Sequence, residues 1–278
     1  DGKGWWWDHP YRWFGLLKPE LFLGTTKSLT RYPRKGNLRW HHMFGFGCVQ
    51  QIKKGWVNAV GLSNPGIEYW CKKVGPKVSR DRLNLAVSIV GTVEELAEMT
   101  DMLNQFDIAA IEVNVSCPNT GDMPTLDQVV EGVCAVRQRS KHPIIFKGSV
   151  AQDIFAIAKE ISGMVSAIEL NSVPWNMVLM NRNPVQRFNG GGVSGEIAQA
   201  VSWPILTELV GMKILPVIGS HVAHYSDVPF LFDRVGVQAI SFGVIHIPNM
   251  WRPRTWLNPI KPTLYIRRFE EIRNHPVV

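Results

Sequence analysis

The sequence is poor in cysteine, with four in 278 residues, and none of them forms the closely spaced pair of a zinc site. The four are Cys48, Cys71, Cys117 and Cys134. A chain of this length can bury a core without disulfide bonds, so the cysteine usage favours a reducing compartment. We therefore expect a cytoplasmic protein, or an organellar one if a targeting segment precedes the given residues.

The sequence also lacks a long apolar run. No stretch approaches the roughly 18 residues of a membrane-spanning helix, and the amino terminus has no apolar core of the kind found in secretory signals. There are no internal repeats, low-complexity tracts or linkers that would divide the chain. Residues 21–278 are therefore predicted to form one domain, preceded by an aromatic-rich segment over residues 1–20.

The aromatic-rich segment holds four of the eleven tryptophans between Asp1 and Leu16. Its pattern fits neither a helix stripe nor strand alternation. Packing against the rest of the chain is the favoured interpretation. A lid, an interface anchor and a contact with a membrane surface are the alternatives.

The chain has a net charge of +7 and a sequence pI near 9.3, which in some proteins indicates nucleic-acid binding. The basic residues do not gather into one long run, and no RNA-binding signature is present. We therefore do not expect nucleic acid as a partner, and the charge is better explained by solvated lysines and by attraction for an anionic cofactor and substrate.

Apolar strand patterns alternate with helical patterns from end to end. Strands are predicted at Leu21–Thr26, Leu85–Ile89, Ala110–Val113, Ile144–Phe146, Ala167–Leu170, Leu215–Ile218 and Ala239–Phe242. Helices are predicted from Ile67, at Thr92–Phe106 with a Thr92–Glu95 capping box, at Thr125–Arg139, Ile154–Ile161, from Glu196, at Val228–Arg234 and at Tyr265–Asn274. Such alternation predicts a parallel sheet covered by helices. The predicted fold class is α/β, a (β/α)8 TIM barrel whose first strand is missing or atypical, with an open doubly wound sheet as the alternative.

The stretch Ala110–Thr120, AIEVNVSCPNT, carries the most chemistry. It opens as a buried strand and breaks into a polar loop in which Asn114 and Asn119 bracket Cys117. Carboxamides can bind amides and carboxylates, and a thiol can serve as a base when its surroundings tune its pKa. Since ligands bind at the carboxyl ends of parallel strands, this stretch predicts a site for moving a proton on an amide-rich small molecule.

Polar or glycine residues follow six of the predicted strands. They are Lys27 with Ser28, Asn114 with Cys117 and Asn119, Lys147, Asn171 with Ser172, Gly219, and Gly243. In a barrel these positions converge on one mouth. Taken singly, each asparagine is more often a turn or cap residue, so the prediction depends on their joint placement.

The motif Asn-x-Ser-Cys-Pro-Asn after a buried strand resembles the central motif of the dihydroorotate dehydrogenases, flavin enzymes on a TIM-barrel fold. The resemblance implies FMN as cofactor and the oxidation of dihydroorotate to orotate in pyrimidine biosynthesis. Cys117 would be the base that removes the C5 proton while C6 passes a hydride to flavin N5. Family members with cysteine at this position generally belong to the soluble branch.

Other segments extend the resemblance. Thr25–Thr30 is similar to the family's threonine-lysine motif, Pro33–Asn37 to its proline-arginine-x-glycine-asparagine loop, and Asn58–Leu62 to its asparagine-alanine-x-glycine-leucine segment. The implied substrate-binding residues are Lys27, Asn58, Asn114, Asn119, Asn171 and Ser172. The implied cofactor-binding residues are Lys27, Ser28, Asn114, Lys147, Leu170, Gly195, Gly219, Ser220, His221, Gly243 and Val244. For Lys147 a salt bridge inside the barrel is the alternative to a place beside the flavin ring.

The sequence departs from the family pattern at the expected phosphate site. Where the family has a paired glycine after the seventh strand, this chain has Gly219-Ser220-His221-Val222, and Val244 stands where the family has threonine. A catalytically inactive barrel serving as a structural or interaction subunit is therefore the alternative function. The resemblance also implies a homodimer or a complex with an electron-transfer subunit, and it leaves open fumarate, NAD through a partner, or quinone as electron acceptor.

Overall fold

The computed structural model describes residues 13–14, 19–38, 47–115, 123–178, 182–188 and 190–243. Its strands are β1 Gly24–Thr25, β2 Val49–Ile52, β3 Gly55–Asn58, β4 Leu85–Ile89, β5 Ala110–Asn114, β6 Ile144–Ser149, β7 Ala167–Asn171, β8 Val173–Pro174, β9 Gly192–Ser194, β10 Val217–Gly219 and β11 Ala239–Ile240. Its α-helices are α1 Ile67–Lys73, α2 Val93–Leu103, α3 Leu126–Arg139, α4 Ile154–Ile161, α5 Glu196–Gly211 and α6 Asp227–Pro229, which continues as a π-helix over Phe230–Val235. Short 3-10 helices lie at Pro19–Leu21, Gly75–Lys77, Trp175–Met177 and Gln186–Phe188.

Seven strands form one parallel sheet in the order β1-β4-β5-β6-β7-β10-β11. This order follows the chain, whereas a doubly wound sheet reverses its order part-way, so the alternative fold was wrong. The rings of Phe22, beside β1, and Phe242, beside β11, meet edge to face with centroids 5.7 Å apart. Because the residues next to the two end strands touch, the sheet curls round on itself and resembles a partial TIM barrel, as predicted.

The curled sheet has a helix-covered outer face and a narrow inner face. On β5, Ile111 and Val113 belong to the large core cluster beneath the helices, while Ala110 belongs to a separate small cluster with Ala86 and Ile145. Successive side chains of a strand point to opposite faces, so Glu112 and the last residue of β5 point inward together with Ala110. The inner face is therefore apolar near the start of the strands and polar near their carboxyl ends.

A second, antiparallel sheet in the order β2-β3-β9-β8 lies at the carboxyl end of the barrel, because β8 begins only two residues after β7 ends. Its buried valines Val57, Val173 and Val193 join the large core cluster. This small sheet carries the Asn58 segment at the end of β3.

Helix starts agree closely with the sequence patterns. Thr92 and Glu95 form the predicted capping box at α2. Thr125 and Gln128 form a second capping box at α3, which the sequence analysis did not single out. Each box satisfies two backbone N–H groups that the first helical turn leaves without partners.

The first, sixth and seventh predicted strands are shorter than expected, and β11 covers only Ala239–Ile240 of the seventh. Only Gly24–Thr25 of Leu21–Thr26 pairs with β4, since Leu21 lies in a 3-10 turn. Pro216, which lacks an N–H, precedes β10, so that strand begins at Val217 rather than at Leu215. The predicted carboxyl-terminal helix Tyr265–Asn274 lies outside the described residues. Across the described part of the chain, no helix is both long enough and apolar enough to cross a membrane.

Candidate active site at the carboxyl end of the barrel

A chain of short hydrogen bonds joins the carboxyl ends of the first three barrel strands. Asn114 Nδ2 donates to Ser28 Oγ over 2.7 Å, and Ser28 Oγ lies 2.8 Å from Ser88 Oγ. The backbone N–H of Ser88 donates to Thr26 Oγ1 over 3.0 Å. All four residues are buried. The predicted pair Ser28 and Asn114 is therefore brought together, and the carboxamide is held in one orientation.

Lys147 lies on the inner face of the barrel between two glutamates. Its Nζ is 3.5 Å from Glu112 Oε1 and 3.7 Å from Glu169 Oε1, and the three side chains are 19%, 2% and 6% exposed. It stands opposite Asn114 in the β5–β6 register. The salt bridge that the sequence analysis kept as an alternative is thus present, and 19% of the Lys147 side chain remains exposed.

Lys147 and Glu112 shift each other's pKa, and the charge of Glu169 contributes to both shifts. Burial lowers the pKa of Lys147, but the neighbouring carboxylates of Glu112 and Glu169 outweigh that effect and hold its pKa above the ordinary value. Burial raises the pKa of Glu112, and the nearby Lys147 only partly offsets this. The cluster therefore holds a stable cation at Lys147 and, at Glu112, a carboxyl group with increased affinity for a proton.

Glu169 and Asn171 are fixed by further hydrogen bonds. Glu169 Oε1 accepts from Ser241 Oγ over 2.7 Å and from Asn171 Nδ2 over 3.1 Å. Asn171 Oδ1 accepts from the backbone N–H of Ser172 over 2.7 Å, and Ser172 has a left-handed φ of 60°. These contacts hold Asn171 half-buried at the end of β7, opposite Ser149 in the β6–β7 register.

Lys27 and Asn58 lie in more open surroundings. Lys27 keeps an exposed surface, yet the protein packed around its ammonium group lowers the pKa of Lys27, with Cys48 acting in the opposite direction. Because the side chain is exposed, water reduces that effect. Asn58 Nδ2 donates to Gly192 O over 3.3 Å across the β3–β9 pair. This bond leaves the carbonyl oxygen of the Asn58 side chain as an acceptor for a ligand.

In the loop after β10, the backbone at His221 has a left-handed conformation that favours glycine. His221 has φ of 63° and is 6% exposed, and its Nε2 has no hydrogen-bond partner among the described residues. Burial lowers the pKa of His221 to about 4, while the charge of Glu169 raises it and that of Lys147 lowers it further. The imidazole is therefore neutral at pH 7, and the charges of Glu169 and Lys147 affect its pKa.

Neighbouring contacts anchor this loop without using the imidazole. Ser220 Oγ donates to Leu170 O, and Ser220 O accepts from Trp203 Nε1 over 3.1 Å. His221 O accepts from Gln199 Nε2 over 2.9 Å. The side chain of Leu170 is fully buried, so this residue presents only its backbone to the mouth.

The three predicted cofactor glycines differ in whether their surroundings leave room for a side chain. Gly195 has φ of 101°, and a Cβ there would lie 2.9 Å from the Cα of Gly55, so packing on the β2–β3 hairpin already requires glycine. A Cβ on Gly219 would touch Val237 and Leu206, on the helix-covered side. A Cβ on Gly243 would meet nothing within 4 Å. The first two glycines thus have reasons in the fold that are independent of a cofactor.

Three predicted site residues, Cys117, Asn119 and Val244, lie outside the described residues. Sequence reasoning missed three others, Ser88, Glu112 and Glu169. The signal for the glutamates was present, since β5 reads AIEVN and β7 reads AIELN, with one charged residue inside each apolar strand. In the described ranges no group of three or more His, Cys, Asp and Glu side chains is placed to hold a metal ion.

Comparison with known proteins identifies the family of this chain. Residues 17–221 match the family model for dihydroorotate dehydrogenase, which is more than half of the chain. The chain belongs to the dihydroorotate dehydrogenase family. The matched range ends at His221, so β11 and the loop after it lie beyond the match.

Similar curated proteins include catalytic subunits of dihydroorotate dehydrogenase B (NAD+). The protein from Carboxydothermus hydrogenoformans is 27% identical over 247 residues, which cover 83% of this chain and 78% of that one. The protein from Desulforudis audaxviator is 30% identical over 236 residues, covering 80% and 74%. The protein from Bacteroides fragilis is 29% identical over 229 residues, covering 78% and 73%.

Among solved structures, a dihydroorotate dehydrogenase from Eimeria tenella in complex with ferulenol aligns with a TM-score of 0.67 and 16% identity. The alignment covers 88% of this chain and 76% of that one. At this identity the likeness establishes the fold, in agreement with the curled parallel sheet.

Proposed function

We propose that this protein oxidises dihydroorotate to orotate with FMN as its cofactor. Family membership supports the reaction class. The observation that carries the proposal is the placement of Asn114 and Lys147 opposite each other at adjacent strand ends, with the carboxamide fixed by Ser28. A fixed carboxamide beside a buried ammonium group suits a flat ligand with carbonyl and N–H groups along its edge.

The residues at the mouth fit FMN. The Lys147 side chain is partly exposed, the Nε2 of His221 has no hydrogen-bond partner among the described residues, and the backbone at residue 221 has the left-handed conformation of a glycine loop. We propose that Lys147, Asn114, Ser28 and the Gly219–His221 loop would hold the cofactor. When bound, FMN would supply the acceptor for the hydride that leaves C6 of the substrate.

Further cofactor contacts are proposed from the motif matches alone, at Lys27, Leu170, Gly195, Gly243 and Val244. Leu170 could take part only through its backbone, as described above. Gly195 and Gly219 keep this proposed role beside their packing role.

Substrate binding is assigned to carboxamides and one hydroxyl around the same mouth. Asn58, Asn114, Asn119 and Asn171 would hydrogen-bond the carbonyl and N–H groups of the pyrimidine, together with Ser172. The exposed ammonium of Lys27 would pair with the substrate carboxylate. These contacts would orient C5 and C6 before either bond to hydrogen breaks.

Cys117 is the proposed base. Its sulfur would take the C5 proton, leaving the electron pair to form the C5–C6 double bond as C6 loses its hydride. The neighbouring carboxamides would donate hydrogen bonds to the pyrimidine carbonyl on which negative charge develops. A cysteine loses its proton more readily than a serine at the same place, so activity should depend on the thiol.

An electron-transfer partner is proposed as well. The similar curated proteins carry the description of a catalytic subunit of an NAD+-linked enzyme. We propose that this chain likewise passes electrons to a second subunit or acts as a homodimer.

The test is orotate formation by the purified chain supplied with FMN, dihydroorotate and a redox dye as acceptor. We expect turnover in the wild type and a large loss in Cys117→Ala with flavin binding retained. Flavin binding without orotate formation in the wild type would contradict the proposal.

A catalytically inactive barrel is the second candidate, because His221 and Val222 stand at the family's paired-glycine position and both side chains are buried. A wild-type protein that stays colourless with FMN in excess would favour this candidate.

A further inference from the structure

His221 combines a left-handed backbone, burial and a ring nitrogen that is unpartnered in the described part of the chain. Its φ of 63° lies in the left-handed region, it is 6% exposed, and its Nε2 has no partner within the described ranges. A buried polar atom without a hydrogen bond is costly, and a water, an ion or a bound molecule beside it removes that cost. The imidazole therefore calls for a partner that is not part of the described chain.

The loop itself does not need the imidazole. Its carbonyl groups at Ser220 and His221 are bonded to Trp203 and Gln199, and the Asp227 carboxylate accepts from the backbone N–H groups of Ala223 and His224, both over 2.8 Å. These bonds fix the loop through its backbone. The side chain at position 221 is thus available for another task.

The charges around the imidazole indicate which part of a ligand it can contact. Glu169 and Lys147 both affect the pKa of His221, and Lys147 forms ion pairs with Glu112 and Glu169. The cluster therefore contains two carboxyl groups and one ammonium group. A phosphate dianion at this place would be repelled by the Glu169 carboxylate, and burial disfavours the protonated imidazole that could pair with the phosphate. An uncharged hydroxyl, carbonyl or N–H group meets neither obstacle.

We propose that His221 is a ligand-binding residue whose Nε2 hydrogen-bonds an uncharged polar atom of the bound flavin. This inference deepens the proposed function and rests on flavin being the cofactor. Its consequence is that FMN and riboflavin, which differ by the phosphate, gain equally from His221. The phosphate would be held by other groups of the loop.

The experiment is a titration of the apoprotein with FMN and, separately, with riboflavin, followed by quenching of flavin fluorescence. His221→Phe keeps a planar ring and removes both nitrogens, and His221→Asn keeps a donor in a residue that tolerates left-handed backbone. His142→Phe is the matched control, because His142 also has a buried Nε2 without a described partner but precedes β6 at the opposite end of the barrel.

We expect His221→Phe to weaken the binding of both flavins by a similar factor, about tenfold, as for the loss of one hydrogen bond. His221→Asn should lose less, and His142→Phe should bind like the wild type. In wild-type protein with nitrogen-labelled histidine, saturating riboflavin should shift the NMR signal of His221 Nε2. This second measurement does not depend on how well a variant folds.

Three results would overturn the inference. Equal or tighter binding by His221→Phe would show that the imidazole makes no favourable contact, and a loss confined to FMN would place it on the phosphate. Either result leaves the proposed function standing. Wild-type protein that binds neither flavin would remove the proposed function together with this inference.

Discussion

Replacing Lys147 by methionine should destabilise the protein strongly at neutral pH. The substitution removes the cation from between Glu112 and Glu169, whose oxygens lie 3.5 Å and 3.7 Å from Nζ, and leaves two carboxyl groups on one buried face. At an effective dielectric constant near 20, each of these contacts carries a Coulomb energy of roughly 4 to 5 kcal/mol before desolvation is subtracted. Breaking a buried ion pair by removing one partner typically costs about 3–5 kcal/mol. We expect a loss of about 3 kcal/mol in the free energy of unfolding at pH 7.

The loss should shrink as the pH falls. Burial already raises the pKa of Glu112, so the folded state binds its proton more tightly than the unfolded state does. Protonation of Glu112 removes one of the two neighbouring negative charges. The protonated fraction of Glu112 increases as the pH falls toward 5. The difference between Lys147→Met and wild type should therefore be smaller at pH 5 than at pH 7.

Urea unfolding monitored by circular dichroism at both pH values measures the effect. Lys54→Met is the matched control, since Lys54 pairs with Glu196 on the surface, where little change is expected. The double variant Lys147→Met, Glu112→Gln should be more stable at pH 7 than Lys147→Met alone. A Lys147→Met protein with wild-type stability at pH 7, or with the same loss at both pH values, would refute the reasoning.

Four further predictions concern single positions. Cys117→Ala should lower the rate of orotate formation by about 10²- to 10⁴-fold without weakening flavin binding, and an unchanged rate would exclude Cys117 as the base. His221 has its pKa lowered to about 4, so the unfolded state takes up a proton below pH 6.5 while the folded state does not until about pH 4. Stability should thus fall by about 3 kcal/mol across that window, and His221→Asn should flatten this part of the pH profile in urea unfolding. Thr92→Ala removes the hydroxyl of a capping box and should cost about 1 kcal/mol in the same assay. Gly195→Ala should cost about 2 kcal/mol or more, because φ is 101° and Gly55 is in the way, and an unchanged midpoint would contradict the packing role.

The order of the strands and the position of the mouth could be predicted from the sequence. The apolar runs locate the end of each strand to within a few residues, and the carboxyl ends of parallel strands must share one edge. Lys147 and Asn171 could be placed at that edge for this reason. The capping box at Thr92 is a local pattern and was equally accessible.

Contacts between side chains of neighbouring strands could not be predicted in the same way. The pairing of Lys147 with Glu112 and Glu169 depends on the register of β5, β6 and β7, and one residue of slip would turn each charge to the other face. A lone glutamate in an apolar strand shows that a partner is needed without saying which one. The left-handed backbone at His221 was hidden for a similar reason, since the residue type gives little hint of φ when glycine is absent.

The central claim is that the groups at the barrel mouth act together on a pyrimidine next to a flavin. The most direct measurement is the visible flavin band of the purified FMN-loaded protein during anaerobic titration with dihydroorotate, because no electron acceptor is then needed. The account predicts that the band is bleached and that one orotate forms per flavin reduced. A flavin band that stays unchanged when dihydroorotate is in excess would contradict it.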